Sequence, residues 1–154
     1  MKGRWITFVV LFVLLLGAAA CAEAETPELV APETELNDYE DLVVALEARG
    51  AEVEELGAVP EDMEIFDAET QVIQVTGEEI QVFDFDSPEE AETMASLVAP
   101  EAGTVGDITV EWADTTHFFR SGSLLVFYVG DNPALTELLT DLLGAEFATF
   151  EGGM

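Results

Sequence analysis

The chain has 154 residues, enough for one domain of ordinary size, and 33 acidic residues against four basic ones give it a formal net charge of −29. A surface of this sign repels the phosphate backbone of nucleic acids and anionic lipid headgroups, so the composition argues against nucleic-acid binding and leaves cations and basic partners open. Because Cys21 is the only cysteine, an intramolecular disulfide is excluded and the fold depends on packing.

Residues 1–20 have the three-part form of a secretory signal. Lys2 and Arg4 come before an apolar run from Trp5 to Leu16, and four small residues follow the run. The run is shorter than the ~20 residues that a helix needs to span a bilayer comfortably. A cleaved signal peptide is therefore the first interpretation, and a retained anchor helix is the alternative.

The small residues end at Cys21, and this pattern resembles the lipobox of bacterial lipoproteins. The resemblance implies cleavage between Ala20 and Cys21, transfer of a diacylglyceryl group to the thiol, and usually acylation of the new amino terminus with a fatty acid such as palmitate. Ala18 stands where the family more often has leucine. Two or three acyl chains together hold a protein stably on a membrane. We therefore expect a domain anchored through Cys21 to the extracytoplasmic face of the cell membrane.

Residues 21–36 have the composition of an acidic tether. The segment contains five glutamates and two prolines and few large apolar residues, which predicts an extended spacer between membrane and domain. Loss of residues 1–20 would leave 33 acids against Arg49 and Arg120, a formal charge of −31. Such acidity is typical of general solvation in a salty medium, and a cation-binding surface is the alternative.

The pattern of capping, apolar and turn residues over 37–145 predicts the folded domain. A capping side chain at Asn37, three residues before Glu40, starts a helix that Gly50 ends. A short strand over 51–56 follows, and the segment 57–70 predicts a loop that returns to the core.

The middle of the domain predicts a hairpin, a helix and a further strand. The hairpin strands are 71–76 and 80–85, joined through Gly77. The Ser87-Pro88 cap starts a helix that runs to about residue 98, and residues 107–112 alternate as a strand.

A second hairpin, over 116–120 and 123–129, predicts the centre of the sheet. Its second strand, LLVFYV, is apolar on both faces, and residues 117–130 contain no acid. A final helix begins at Pro133. Its apolar stripe consists of Leu135, Leu138, Leu139, Leu142 and Leu143. Residues 146–154 predict a flexible tail.

These elements predict an α+β fold with a five- or six-stranded, mostly antiparallel sheet and helices packed on one face. A shift of 45 residues superposes the two hairpins and the proline-started helices that follow them, with Gly77 on Gly122 and Pro88 on Pro133. This correspondence suggests an internal duplication of a helix-strand-strand-strand unit.

Few residues are suited to catalysis or metal binding. His117 is the only histidine, and the RSGS sequence around Ser121 and Ser123 is typical of a hairpin turn rather than of a nucleophile elbow. Soft-metal sites need several Cys and His ligands. The densest carboxylate group, Asp84 to Glu90, lacks the glycine and the final glutamate of an EF-hand loop. We therefore predict no enzyme activity, no cofactor and no bound metal.

The candidate partner site is a set of aromatic residues in the least charged part of the chain. Its members are Trp112, Phe118, Phe119, Phe127 and Tyr128. Any portion left exposed would form a recognition patch for a protein or small-molecule ligand. The alternative is that they form sheet core covered by helices.

The stretches from Thr76 to Phe85 and from Thr116 to Leu135 also resemble a group of small uncharacterised bacterial lipoproteins with a similar helix, hairpin and "LYVG" pattern. The resemblance implies the domain layout and the membrane address, and it implies no catalytic residue. We therefore expect a non-catalytic binding or envelope-interaction module. The alternatives are a structural envelope protein, and a carboxylate-dependent calcium binder or hydrolase.

Three observations would distinguish these classes. A binding module requires an exposed aromatic patch or groove. An enzyme requires His117 in a cleft with a carboxylate within hydrogen-bond reach. A structural envelope protein requires an unbroken acidic surface.

Overall fold

The computed structural model describes residues 36–59 and 65–152, which form an α+β domain. The predicted signal peptide, the predicted lipidation site at Cys21 and nearly all of the predicted tether lie outside the described residues. The helices of the described chain are α1 (Tyr39–Ala48), α2 (Pro88–Ala95) and α3 (Pro133–Leu143). Its strands are β1 (Val53–Ala58), β2 (Glu69–Val75), β3 (Glu78–Asp84), β4 (Val98–Ala99), β5 (Thr104–Val105), β6 (Ile108–Thr109), β7 (Thr116–Ser121), β8 (Leu124–Val129) and β9 (Ala148–Phe150).

The main sheet has six strands in the order β1-β2-β3-β8-β7-β9, and every neighbouring pair is antiparallel. The fold class and the antiparallel sheet predicted from the sequence are confirmed. Both predicted hairpins are present, as β2-β3 and β7-β8. At the first, Thr76 and Gly77 have φ values of 52° and 91°. Such a pair of positive φ values is typical of two-residue turns that follow the twist of the strands.

Both helix starts predicted from capping residues are capped, but the residue that caps α1 is the neighbour of the predicted one. Asp38 rather than Asn37 caps α1, accepting a hydrogen bond from the N–H of Asp41 at 2.8 Å. Ser87 caps α2 through the N–H of Glu90 at 3.2 Å.

The two longer helices, α1 and α3, pack on one face of the sheet, which we call the helix face. Leu42 and Leu46 of α1 are buried there, together with Leu135, Leu139 and Leu143 of the predicted α3 stripe. The i, i+4 spacing of these leucines directs them toward the same face of each helix. Apolar side chains of β2, β3 and β8 complete this core.

The opposite face of the sheet holds a second core, which we call the aromatic face. Phe83, Phe118, Phe127 and Phe150 are buried in it, and α2 contributes Ala91. Phe66 is also buried here, so the predicted return of the 57–70 segment to the core is confirmed. Because the strand period is two, alternate residues of β8 enter the two cores, which explains why all of LLVFYV is apolar.

The chain between α2 and the second hairpin forms a small sheet of three two-residue strands, in the order β4-β5-β6. The strand predicted over 107–112 is therefore wrong beyond β6, and Trp112 lies in no strand. Gly103 and Gly106 have φ values of 66° and 55°, and they turn the chain sharply on both sides of β5. These turns end each strand before a longer ladder can form.

The predicted flexible tail over 146–154 is also wrong in part. Ala148–Phe150 form β9, which pairs with β7 along Thr116 to Phe118. Ala148 and Phe150 are buried in the aromatic face, so β9 is held by backbone pairing and by the apolar contacts of these two residues. Residues 153 and 154 lie outside the described residues.

The 45-residue correspondence matches the order of the elements but not their packing. Each hairpin leads into a helix that starts at a proline, Pro88 or Pro133. The offset is odd, so it superposes residues of opposite faces, such as Val82 of the helix face on Phe127 of the aromatic face. Accordingly α2 packs on the aromatic face and α3 on the helix face.

A comparison of two phenylalanines tests the aromatic face. Phe118 is fully buried and Phe147 is 40% exposed, although their rings lie 6.1 Å apart. We expect Phe118→Ala to lower the free energy of unfolding by about 3–5 kcal/mol through lost burial and the cavity left behind. Phe147→Ala, the matched control, should cost roughly 1 kcal/mol. Urea unfolding measures both, and equal losses would contradict the assigned core.

Candidate functional site

The chain joins the domain at one end of the sheet, which we call the tether end. The carbonyl of Leu36 lies against Gly122 in the β7-β8 turn and leaves no room for a side chain there. The Ser123 hydroxyl donates a hydrogen bond to the Asn37 carbonyl, and the N–H of Tyr39 donates to Asp84 Oδ2 at 3.1 Å. These contacts fix the direction in which the domain leaves the preceding segment.

Two grooves lie toward the opposite end of the sheet, which we call the distal end. β7 begins at Thr116 and reaches the tether end at Ser121, a distance of roughly 17 Å at the usual rise of a strand. His117 and the partners of Thr116 in the neighbouring strands, Val129 and Phe150, are therefore at the distal end. One groove lies on the helix face and the other on the aromatic face.

The groove on the helix face, the His117 groove, lies between β7 and α3. Its lining residues are His117, Asp131, Pro133, Thr136, Glu137 and Thr140. His117 Nδ1 lies 2.6 Å from Glu146 Oε2, and the side chains are 13% and 38% exposed. The imidazole also stacks on the ring of Tyr128 in the neighbouring strand, with centroids 5.9 Å apart. Two contacts therefore fix the orientation of the histidine.

The hydroxyl group of Tyr128 is held by Asn132, the residue that caps α3. The N–H of Asn132 donates to the Tyr128 hydroxyl oxygen at 3.1 Å, and the Asn132 amide donates to Glu78 at 3.2 Å. Burial raises the pKa of the Tyr128 phenol, and this hydrogen bond from Asn132 opposes the rise only partly. The surface beneath the histidine is therefore a neutral and rigid aromatic ring.

The His117 groove holds a base but no activated nucleophile among its described residues. The Thr136 hydroxyl donates to the Asn132 carbonyl at 3.1 Å and the Thr140 hydroxyl to the Thr136 carbonyl at 2.8 Å, so both are engaged by the helix backbone. A histidine oriented by a carboxylate can accept a proton from water. The geometry required of the enzyme alternative is therefore present, without a residue to form a covalent intermediate.

The groove on the aromatic face, the Trp112 groove, lies between β9 and the 3₁₀ turn Pro100–Ala102. Its lining residues are Pro100, Glu101, Gly103, Val110, Glu111, Trp112, Ala113, Thr149, Phe150 and Glu151. The Trp112 ring packs near Phe127, Phe150 and Phe118, with centroid distances of 5.5, 6.1 and 6.3 Å. Its Nε1 is buried without a hydrogen-bond acceptor in the part of the chain that the structure describes.

The structure separates the five residues of the predicted aromatic patch. Phe118, Phe119, Phe127 and Tyr128 are at most 4% exposed, so they form core and leave no recognition patch. Phe118 and Phe127 face Trp112, whereas Phe119 and Tyr128 are in the helix face. Adjacent residues of a strand point to opposite faces, which explains the separation. Only Trp112 is partly exposed.

The segment predicted as a tail contains Glu146, which contacts His117, and Phe150, which lines the Trp112 groove. The alternation of Ala148, Thr149 and Phe150 was a weak strand signal because it covers only three residues. Nothing in the sequence indicates that Glu146 meets His117, since that contact depends on β9 pairing with β7.

In the acidic group Asp84 to Glu90, the Asp84 carboxylate accepts a hydrogen bond from the N–H of Tyr39. Ser87 caps α2 through the backbone N–H of Glu90. Among residues 36–59 and 65–152, no three His, Cys, Asp or Glu side chains are grouped so that they could hold a metal ion.

Comparisons with protein-family models, curated proteins and solved structures found no significant match. Within the described ranges, no helix is both long enough and apolar enough to cross a bilayer. A functional proposal for this chain therefore rests on its own sequence and site geometry.

The tether-end contacts predict how stability responds to pH. Burial raises the pKa of the Asp84 carboxyl, against the lowering effect of the Tyr39 N–H. The stability from this group is fully present below the ordinary aspartate pKa of about 3.9, and it is lost as pH rises through the raised folded-state pKa. We expect Asp84→Asn to raise the urea midpoint at pH 7 and to lose that advantage near pH 3. Exposed Asp86→Asn controls for relief of general repulsion, and an equal gain there would contradict the assignment.

Proposed function

We propose that the protein is a lipid-anchored, extracytoplasmic binding module that acts without catalysis on a positively charged partner. The observation that carries the proposal is the Trp112 groove, in which glutamates surround a partly exposed aromatic side chain. Small-molecule and peptide sites commonly combine an apolar floor with a few polar groups. The groove is the feature that the binding class requires.

The position of the groove also supports the proposal. The chain joins the domain at the β7-β8 turn, whereas the groove lies at the distal end of β7. A domain held on a membrane through Cys21 and the acidic tether would then present the groove away from the lipid. Repulsion between the acidic domain and anionic headgroups would also hold the domain away from the lipid surface.

The charge balance indicates the sign of the partner. The described domain has only two basic residues, Arg49 and Arg120, and the ion pair of Arg49 with Asp141 is exposed at 3.6 Å. Acids therefore dominate the field around both grooves and attract cationic partners at a rate that falls with added salt. A purely structural envelope protein would not require an aromatic groove in this surface.

The second candidate function is a hydrolase that uses His117 as a general base. It is favoured by one observation, the 2.6 Å contact between His117 Nδ1 and Glu146 Oε2 in a groove. Direct attack by an activated water would need no nucleophilic side chain. Binding remains the first proposal because the Trp112 groove supplies the partly exposed aromatic side chain that a binding site requires, whereas hydrolysis is supported by the His117 contact alone.

The anchor is tested by the intact mass of the protein extracted from membranes. We expect a chain that begins at Cys21 and carries a diacylglyceryl group, with or without a further acyl chain. Cys21→Ser should remain unprocessed because the lipid acceptor is lost. A wild-type mass that corresponds to the uncleaved and unmodified chain would exclude the lipoprotein and support a retained helix over residues 5–20.

The absence of catalysis is tested with a reactive ester. We expect the wild-type protein to hydrolyse p-nitrophenyl acetate no faster than His117→Ala, because the carboxylates of Asp131 and Glu137 in the same groove would repel the oxyanion that forms. Glu146→Gln serves as the matched variant, since it keeps the contact but removes the charge. Saturable turnover that both variants reduce by at least about tenfold would favour the hydrolase.

A further inference from the structure

The indole N–H of Trp112 is the one buried side-chain polar atom without a partner among the described residues. Buried donors are almost always paired, so an unpaired one requires an explanation. The rings of Phe118, Phe127 and Phe150 pack around the indole and offer no oxygen acceptor. An acceptor supplied from the groove would complete the site.

The groove beside this donor is acidic. Glu101, Glu111 and Glu151 line it and are exposed, and none of the described residues that line it is a lysine or an arginine. Carboxylates at the rim and an aromatic ring in the floor are complementary to a cationic side chain with an apolar stem. A ligand of this groove therefore carries positive charge beside a hydrogen-bond acceptor.

The walls of the groove indicate an elongated ligand. β9 is the last strand of the main sheet, and within residues 36–59 and 65–152 it pairs only with β7, so its other edge has backbone groups without a strand partner there. Thr149 and Phe150 of this strand form one wall, and Pro100 and Gly103 contribute to the other. Extended peptides commonly bind beside such an edge, using backbone hydrogen bonds and side-chain pockets.

We propose that the Trp112 groove binds an extended peptide segment that contains lysine or arginine. A peptide carbonyl accepts the hydrogen bond of Trp112 Nε1, and the cationic side chains pair with the glutamates at the rim. Because Nε1 is buried, binding requires residues 110–115, which belong to neither sheet, to shift so that Nε1 faces the groove. The inference that the ligand is positively charged rests on the proposed function. The inference that it has a peptide backbone rests on the unpaired N–H of Trp112 and on the edge of β9.

The test is calorimetric titration of the full-length, detergent-solubilised protein with the blocked peptide Ac-Lys-Val-Lys-Val-Lys-NH2. Salt of about 0.15 M limits long-range attraction to roughly 8 Å. We expect saturable binding of this peptide, no binding of the matched Glu-Val-Glu-Val-Glu peptide, and much weaker binding of spermidine, which has charge but no carbonyl. Equal affinity for spermidine would overturn the peptide assignment.

Two groove variants and one control identify the site. Trp112→Phe keeps an aromatic ring and removes the N–H, and we expect it to weaken binding about tenfold, the effect of one lost hydrogen bond. The exposed triple variant Glu101→Gln, Glu111→Gln and Glu151→Gln should weaken binding at least as much. The control is Glu47→Gln, Glu54→Gln and Glu92→Gln, which makes the same change in net charge elsewhere and should change affinity less than about twofold.

The outcomes separate this inference from the proposed function. Equal weakening in the control triple, or unchanged affinity in a folded Trp112→Phe, would leave a cation-binding protein and exclude the Trp112 groove as its site. No saturable heat from a protein whose Cys21 is lipidated would overturn the peptide site alone. Binding at Trp112 by a protein without lipid at Cys21 would remove the anchor and leave the site in place.

Discussion

The fold depends on β8 being buried on both of its faces. Leu124, Val126 and Tyr128 enter the core of the helix face, and Leu125 and Phe127 enter that of the aromatic face. The strand also pairs with β3 on one side and β7 on the other, so it joins the two hairpins into one sheet. In a chain this acidic, such a strand is restricted to a segment without carboxylates, and residues 117–130 are that segment.

The charge distribution leaves packing as the main source of stability. With two basic residues in the described domain, few ion pairs can offset the repulsion among carboxylates, and the exposed Arg49 contact with Asp141 contributes little. The two cores must therefore supply the favourable free energy. The same imbalance favours cationic partners, because any groove in this surface lies in a negative field. Added salt screens both the repulsion within the domain and its attraction for cations. It therefore raises the stability of the domain and weakens the binding of a cationic partner.

The sequence predicts the elements that have a repeated local signal. The α3 leucines and the Ser87 cap of α2 follow from a period and a capping pattern, and the structure confirms them, whereas α1 is capped by Asp38 instead of Asn37. The continuous apolar run of β8 likewise predicts a strand that is buried on both faces. β9 has only three residues and Trp112 lies in no strand, so neither has a period to detect. Both depend on distant contacts, with β7 and with the phenylalanines of the aromatic face. The candidate site was therefore predicted only in part, through Trp112, while its other members required the tertiary structure.

The segment after α3 connects the two grooves. Gly144 ends the helix with a φ of 91°, a conformation that disfavours other residues, and the chain then crosses to the edge of β7. Glu146 reaches His117 on the helix face, and four residues later Phe150 packs against Trp112 on the aromatic face. The neighbouring β7 residues contribute to the same two grooves, since His117 lines the His117 groove and Phe118 packs against Trp112. A change that detached β9 would thus remove one wall of the Trp112 groove and disturb the contact of Glu146 with His117.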